Sequence, residues 1–400
     1  MLFKSIVKYV VGEFFSKAFP FLLLPYFALK LGADGVGELT LFQGYCALFL
    51  VLINAGLDTC LNRYYYRYGA RSYNLLFLLS LLYSLSISFI ILIFILIYNS
   101  QGYISLALLV SYLTTVSNVF LSNLQIRGKV NFYIFSQILN SLCATFFTIL
   151  FFEFYSPSVF NRAVSIAVGF VFSMSFLIYC VKFDFRIIKK IKKNFNDCRL
   201  LFCYLLSFSL PLVVNNFANF SRTYLDKFLI DSYYSQVELG IYAIAFQISA
   251  VIVVFLLAVN KAVQPLMFKL LKDGVISGWP PKNYLFLYFI FIFISVFLIK
   301  STPNSLLVFI FGDEFSGVIT YLQPMILYSL SQVLYLYMAN VLIFNGKTRT
   351  VSEATLLGLF FQCIYLYFSI QESIYMVSYS SLFSSVVTIL YMLYKVSKRG

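Results

Sequence analysis

The sequence has no histidine, one tryptophan and few charged residues. Without histidine, a zinc site of the usual type and a histidine proton relay are both excluded. The seven cysteines include no Cys-x-x-Cys pair, and no Walker motif is present. We therefore predict no metal, no cofactor and no use of ATP. Charged residues form 11% of the chain and hydrophobic residues 61%, which excludes a soluble globular domain of 400 residues.

Long apolar runs account for most of the sequence, and the mean hydropathy is +0.89. A hydrocarbon core of about 30 Å requires about 20 residues of helix. An isolated strand would leave its backbone groups unpaired in lipid, so these runs are predicted to be helices. Twelve runs have suitable length: 9–30, 37–60, 75–98, 103–125, 131–153, 159–181, 200–226, 239–260, 283–300, 318–343, 351–370 and 373–394.

A basic segment, Lys182–Arg199, separates the first six runs from the last six. It carries seven Lys and Arg residues and two acidic residues. Such a segment is either a solvated cytoplasmic linker or an amphipathic stretch lying on anionic membrane lipids. We therefore predict two six-helix lobes, 1–181 and 200–400, joined by the linker 182–199 around a central cavity.

The distribution of positive charge predicts the orientation of the chain. Of the 29 Lys and Arg residues, 23 fall at the two termini and in loops on one side of the predicted helices. Five fall on the other side, and Lys17 lies within the first helix. Because membrane loops rich in Lys and Arg stay inside, both termini are expected to be cytoplasmic. This orientation also explains the net charge of +14 without a nucleic-acid partner.

Two predicted helices carry charged residues inside their apolar runs, where each charge costs roughly 2.5–3.5 kcal/mol on insertion scales. In the first helix, Glu13 and Lys17 lie four residues apart and can pair. In the seventh helix, four polar residues fall on one helical face: Asn215, Asn219, Arg222 and Asp226. Two such stripes predict a shared water-filled cavity. The alternatives are a neutralising pair in the first helix and an external interface position in the seventh.

A weak internal repeat relates the two halves. Gly37-Glu-Leu-Thr-Leu-Phe opens the second predicted helix, and Gly240-Ile-Tyr-Ala-Ile-Ala opens the eighth. Ile126-Arg-Gly-Lys129 and Phe344-Asn-Gly-Lys347 end the fourth and tenth. Six helices followed by six with the same orientation form a parallel repeat, an arrangement found in transporters.

Several short motifs resemble those of a known family. In the first half these are Leu31-Gly32, Gly37 and Gly56-Leu57 before Arg63. In the second half they are Leu210-Pro211-Leu212, Asp226-Lys227, Gly240-x-Tyr242 and Phe311-Gly312-x-x-Phe315. Together they resemble Wzx-type polysaccharide (O-antigen) flippases of the multidrug/oligosaccharidyl-lipid/polysaccharide exporter superfamily.

This resemblance implies a transporter, not an enzyme, in the bacterial inner membrane. Its cargo would be an undecaprenyl-diphosphate-linked oligosaccharide for lipopolysaccharide or a similar polymer, and other polysaccharide assembly proteins would be partners. Lys17, Arg222 and Lys227 would meet the diphosphate, with Asn215 and Asn219 in the same cavity. Glu13 or Asp226 would couple to H+ or Na+. A multidrug or metabolite extruder of the same fold and a membrane polysaccharide polymerase remain the alternatives.

Overall fold

The structure is a computed structural model. It describes residue 12 and residues 19–70, 72–97, 102–181, 195–274, 279–281 and 303–397, together with nine residues between 285 and 297. All regular secondary structure in these ranges is helical. The α-helices that can be bounded in these ranges are α1 Leu24–Asn54, α2 Leu57–Tyr68, α3 Tyr73–Ile97, α4 Gly102–Ile126, α5 Val130–Phe154, α6 Val159–Val181, α7 Phe195–Tyr233, α8 Gln236–Lys272, α9 Asn304–Phe311, α10 Val318–Phe344, α11 Thr348–Ser369, α12 Ile374–Val377 and α13 Ser380–Ser397.

The predicted all-α membrane fold is confirmed. Ten helical stretches in the described part of the chain are long and apolar enough to cross a membrane. They correspond to ten of the twelve predicted runs. The other two, 9–30 and 283–300, each include nine residues outside the described ranges.

The predicted loop between the first two runs is wrong, because α1 continues from Leu24 to Asn54. The chain bends at Gly32 inside this helix, where φ is +68° and ψ is −178°. Only glycine adopts such a conformation without steric cost. The break therefore separates two helical segments, 24–31 and 33–54, where the two predicted runs meet, and it is a kink at one residue instead of a loop of six residues.

The predicted end of the seventh run is also too early. Helix α7 runs to Tyr233, and only Tyr234 and Ser235 separate it from α8. Lys227, which follows the predicted run, therefore lies within the helix together with Arg222. Helix α8 in turn extends to Lys272, twelve residues past its predicted end. Charged residues do not end these helices, because a helix satisfies its own backbone groups whatever its side chains.

The chain forms two compact units. The first contains 1–23 and 41–220, and the second contains 24–40 and 221–400. This division differs from the predicted boundaries at 181 and 200, since 24–40 and 200–220 change sides. The lobe arrangement and the central cavity stay predictions, and residues 182–194 of the basic linker lie outside the described part.

The first unit has a core where α2, α3, α4, α6 and α7 meet. Leu57, Leu76, Leu124, Leu177 and Leu205 are each fully buried there. Arg162 of α6 is buried as well, and its guanidinium donates hydrogen bonds to Thr148 Oγ1 (2.5 Å) and the Ala144 carbonyl oxygen (3.3 Å) of α5. A buried cation with such partners holds two helices together at a tolerable desolvation cost.

In the second unit, α8, α10, α11 and α13 share a core that includes Met267, Met338, Leu342, Ala354 and Met392. Small hydroxyl residues line the contacts between these helices. Ser331 and Ser385 lie 2.7 Å apart through their hydroxyls. Ser384 Oγ donates to the carbonyl oxygen of Gly358 at 2.9 Å. Close packing through small and hydroxyl side chains is typical of helices that associate inside a membrane.

Candidate functional site

The predicted site residues fall into three groups. Glu13 and Lys17 lie outside the described residues. Asn215 is half-buried and Asn219 exposed, and both belong to the first unit. Arg222 is half-buried in the second unit, and Gln362 Nε2 of α11 donates to its backbone carbonyl oxygen at 3.1 Å.

Asp226 and Lys227 form the centre of the third group, deep in the second unit. Each is 2% exposed. Lys227 Nζ lies 3.4 Å from Asp226 Oδ1, and the backbone N–H of Lys227 donates to the same oxygen at 2.9 Å. Tyr242 of α8, fully buried, donates its hydroxyl to Asp226 Oδ2 at 2.5 Å. Both carboxylate oxygens therefore have partners.

The ammonium of Lys227 is surrounded by aromatic rings. It lies 3.6 Å from the ring centroid of Phe246, 5.5 Å from that of Tyr224 and 5.8 Å from that of Tyr242. It also donates to the carbonyl oxygen of Thr223 at 2.5 Å. A cation over aromatic faces is stabilised by the ring quadrupoles, and the gain rises to about 2 kcal/mol or more when water is excluded.

We call Tyr224, Asp226, Lys227, Tyr242 and Phe246 the lysine cage. Neighbouring side chains on a helix do not face each other, so an ion pair between adjacent residues is not the default. Here Lys227 bends back toward Thr223, one turn earlier, and this brings its ammonium toward the carboxylate. The cage as a whole carries no net charge, and each charged group in it is hydrogen-bonded.

A second tyrosine connects the cage to the start of α8. The rings of Tyr242 and Tyr321 lie 5.8 Å apart, and the Tyr321 hydroxyl donates to Glu238 Oε2 at 3.2 Å. Glu238 occupies the first turn of α8, and its backbone N–H donates to the side chain of Ser235, the residue that caps the helix. The order Asp226, Tyr242, Tyr321, Glu238 thus links two carboxylates through two aromatic rings.

The aromatic members of this site are difficult to find from the sequence. Tyr242 belongs to the internal repeat and to a family motif, and Phe246 is one of 47 phenylalanines. Their spacing of four residues places both on one face of α8. That spacing is a usable signal once α8 is known to pack beside Asp226 and Lys227.

Replacing Tyr242 by phenylalanine is expected to destabilise the protein by about 1.5–3 kcal/mol, because Asp226 Oδ2 loses a hydrogen bond to a charged acceptor while the ring volume is kept. The measurement is the melting temperature of the purified protein in detergent. Tyr179→Phe is the matched control, since Tyr179 is 79% exposed. Equal melting temperatures for the two variants would show that the hydroxyl contributes nothing.

The motif glycines also meet in the second unit, where α1 crosses α8. A Cβ on Gly37 would overlap the Gln236 carbonyl oxygen, and a Cβ on Gly240 would overlap the Ala33 carbonyl oxygen. Glu314 Oε2 accepts the backbone N–H of Ala33 at 2.7 Å, directly after the kink at Gly32. This carboxylate satisfies a donor that the kink leaves without a helical partner. The crossing fixes the start of α8, which carries Tyr242.

Comparison with known proteins agrees with this architecture. The model of the family described as "Polysaccharide biosynthesis protein" matches residues 2–271. A Haemophilus influenzae protein described as "Uncharacterized membrane protein" is 32% identical over 401 residues, which cover all of this chain and 97% of that protein. "Lsg locus putative protein 1" of the same species is 30% identical over 360 residues, covering 89% of this chain and 88% of that protein.

Similar solved structures are transporters of one fold. An inward-facing multidrug resistance MATE family transporter of the MOP superfamily matches with a TM-score of 0.65 at 13% identity, covering 99% of this chain and 94% of the other. A MOP superfamily transporter from Pyrococcus furiosus, described as having a binding pocket of reverse polarity, matches with a TM-score of 0.63 at 14% identity and covers 99% and 96%. At such low identity the likeness shows the fold. The chain therefore belongs to the polysaccharide biosynthesis protein family, and it is a multi-pass membrane protein with the fold of MATE transporters.

Proposed function

We propose that this protein is a flippase, which moves an undecaprenyl-diphosphate-linked oligosaccharide from the cytoplasmic to the periplasmic leaflet of the bacterial inner membrane. The observation that carries the proposal is the combination of a polysaccharide biosynthesis family with a transporter fold over the whole chain. A membrane-bound saccharide intermediate is the cargo that satisfies both. Its diphosphate cannot cross hydrocarbon unaided, because desolvating the charge costs many kcal/mol.

The two cations of the second unit that are assigned to the diphosphate differ in how accessible they are. Arg222 is half-buried in α7, and its guanidinium is suited to bidentate binding of a phosphate. Lys227 contributes only when its pair with Asp226 opens, since its ammonium is enclosed by the lysine cage. Lys17 is proposed as a further cation, and Asn215 and Asn219 as hydrogen-bonding partners of the cargo.

Coupling to H+ or Na+ through Glu13 or Asp226 is part of the same proposal. For Asp226 the geometry defines what coupling requires. An incoming Na+ has to displace the Lys227 ammonium, and an incoming proton has to neutralise a carboxylate that already accepts the Tyr242 hydroxyl. Each unit charge that crosses the membrane gains about 2.3 kcal/mol per 100 mV, which is enough to drive such a rearrangement.

The test is translocation in proteoliposomes loaded with undecaprenyl-diphosphate-linked oligosaccharide purified from the native bacterium. Flipping is measured as the fraction of glycan that becomes accessible to a glycosidase added outside. We expect Arg222→Ala to slow flipping about tenfold or more, the loss that follows from removing a charge-assisted hydrogen bond. Arg349→Ala is the matched control, since the Arg349 side chain is 93% exposed and pairs only with Glu353 among the described residues.

Three outcomes would count against the proposal. Wild-type protein that leaves the glycan as protected as in protein-free liposomes contradicts flipping. Drug transport without glycan transport favours the extruder. Full activity of the Lys17→Ala/Arg222→Ala double variant contradicts the assigned cations while leaving the fold intact.

A further inference from the structure

The first unit carries a cluster of arginines and aromatic rings that the proposed cavity does not use. It consists of residues from α2 and from the first turns of α7, and we call it the Arg–Tyr patch: Arg63, Tyr64, Arg67, Tyr68, Tyr204 and Phe208. Arg63, Arg67 and Tyr68 are exposed, with Tyr68 at 53%. The sequence 62–68 reads NRYYYRY, so the patch is dense in both residue types.

The backbone break between α1 and α2 positions this patch. Ala55 and Gly56 both adopt left-handed conformations, with φ of +43° and +73°. A Cβ on Gly56 would lie 2.6 Å from Leu212 Cδ1, so the break packs directly against α7. Glycine is required here both for its φ and for this close approach.

Beyond the break, α2 runs antiparallel to the start of α7. Arg63 lies over Phe208, with its Cζ 4.7 Å from the ring centroid. The ring of Tyr64 lies 5.5 Å from that of Tyr204, and the ring of Tyr68 lies 5.7 Å from the same ring at an interplanar angle of 90°. As residue numbers rise along α2, those of its partners on α7 fall. Two helices thus fix the rings in one array.

The two arginines are arranged to bind an anion. Arg63 lies over the ring of Phe208, and Arg67 lies 5.5 Å from the ring of Tyr68, so aromatic contacts hold two exposed arginines on α2. In the described part of the chain neither has a carboxylate partner, and Asp58 of the same helix bonds Asn54 instead. Their spacing of four residues puts both on one helical face with Cβ atoms about 6 Å apart, so both long side chains can reach one diphosphate.

The length of the helical stretch places the patch at the membrane surface. Leu24–Tyr68 contains 45 residues. It is interrupted at Gly32 and at Ala55–Gly56, and the segment 33–54 between these breaks extends about 33 Å, close to the thickness of about 30 Å of the hydrocarbon core. The charged end, α2, is the part that leaves the core. Tyrosine is enriched at this boundary, and Tyr66 is 75% exposed there.

We propose that the Arg–Tyr patch binds the glycosyl-diphosphate headgroup of a polyprenyl-linked saccharide at the membrane surface, before the headgroup enters the transport path. This inference rests on the proposed function. The arginines bind the diphosphate through bidentate hydrogen bonds. The exposed tyrosine faces pack against the C–H faces of the first sugar rings. The polyprenyl chain stays in the bilayer, because the patch lies at its edge.

An anionic phospholipid is the competing source of phosphate. A phospholipid phosphate is satisfied by a single point charge and has no sugar ring to pack on tyrosine. The two sources therefore differ in their dependence on arginine geometry and on aromatic surface, and variants of the patch separate them.

The test measures binding of radiolabelled undecaprenyl diphosphate, with and without a linked N-acetylglucosamine, to the full chain in phosphatidylcholine nanodiscs. We expect Arg63→Gln/Arg67→Gln to weaken both ligands about tenfold or more, the loss of a charge-assisted hydrogen bond. Arg63→Lys/Arg67→Lys keeps the positive charges but removes the bidentate hydrogen bonds of the guanidinium groups. It is therefore expected to weaken diphosphate binding and to leave competition by phosphatidylglycerol unchanged. Tyr68→Ala weakens only the sugar-bearing ligand. Lys269→Gln/Lys272→Gln removes two exposed charges elsewhere and is the control.

Equal affinity of the Arg63→Gln/Arg67→Gln variant and the control would overturn the proposal. So would equal displacement of both ligands by phosphatidylglycerol, which would make the patch a general anionic-lipid surface. Unchanged melting temperatures show that the variants are folded. Binding is measured without translocation, so the two proposals can fail separately. Binding that depends on the patch, with no flipping, would contradict the proposed function alone. Flipping with unchanged rates in the patch variants would contradict this inference alone.

Discussion

Replacing Gly240 by alanine is expected to prevent the second unit from forming its native packing. The added methyl group would overlap the Ala33 carbonyl oxygen, a backbone atom that no side-chain rotation can move aside. Helices α1 and α8 would have to separate, and the Glu314 contact to Ala33 and the position of Tyr242 depend on that crossing. Overpacking a core by one or two methyl groups costs typically 1–3 kcal/mol, and a backbone clash belongs above that range, at about 3 kcal/mol or more.

The measurement is the yield of monodisperse protein extracted from the membrane and its melting temperature. Gly102→Ala is the matched control, because Gly102 is also helical and a Cβ there would meet nothing within 4 Å. It is expected to leave stability unchanged or slightly raised, since alanine is the better helix former. If Gly240→Ala melted at the same temperature as Gly102→Ala, the close crossing would be wrong.

The second large effect concerns the lysine cage. Lys227→Met keeps an aliphatic side chain of similar length but leaves the Asp226 carboxylate buried without its cation. Breaking a buried ion pair from one side costs about 3–5 kcal/mol. The double variant Asp226→Asn/Lys227→Met removes both charges, so it is expected to be more stable than Lys227→Met alone, because the remaining amide still accepts from Tyr242.

A double-mutant cycle on melting temperatures tests this, with Lys269→Met as the control for loss of an exposed lysine. Additive effects of the two single changes would show that Asp226 and Lys227 do not act as a pair. A strong non-additive term also bears on transport. It means that any ion bound at Asp226 competes with an internal ammonium, so Asp226→Asn is expected to slow flipping and to weaken its dependence on the ion gradient.

The predictions that held depend on local properties of the sequence. An apolar run such as 75–98 forms a membrane helix wherever it lies, because hydrocarbon forces each backbone group to bond within its own segment. The α3 helix, Tyr73–Ile97, confirms that run almost residue for residue. Boundaries were less reliable. Gly32 resembled a loop and is a kink, and the charges around Asp226 resembled a helix end and lie inside α7.

The ion pair of Asp226 and Lys227 is a second example of a feature that local sequence does not show. The sequence alone identifies Asp226 and Lys227 as charges inside an apolar helix. It does not show that they pair with each other, since adjacent residues on a helix diverge by about 100°. Their pairing depends on Tyr242 and Phe246, which α8 brings to them from sixteen and nineteen residues further along the chain.

Composition and hydropathy are enough to predict a helical membrane protein with charged residues at a few costly positions, and the short motifs resemble the family to which the chain belongs. The role of the motif glycines becomes visible only in the folded chain. Gly37 and Gly240, which the sequence relates only as a weak repeat, lie at the same helix crossing. Glu314, 281 residues from Ala33, caps the backbone beside it. This difference arises because hydrophobicity and helix formation act within one segment, whereas a steric contact or a hydrogen bond between distant residues exists only after the helices have packed.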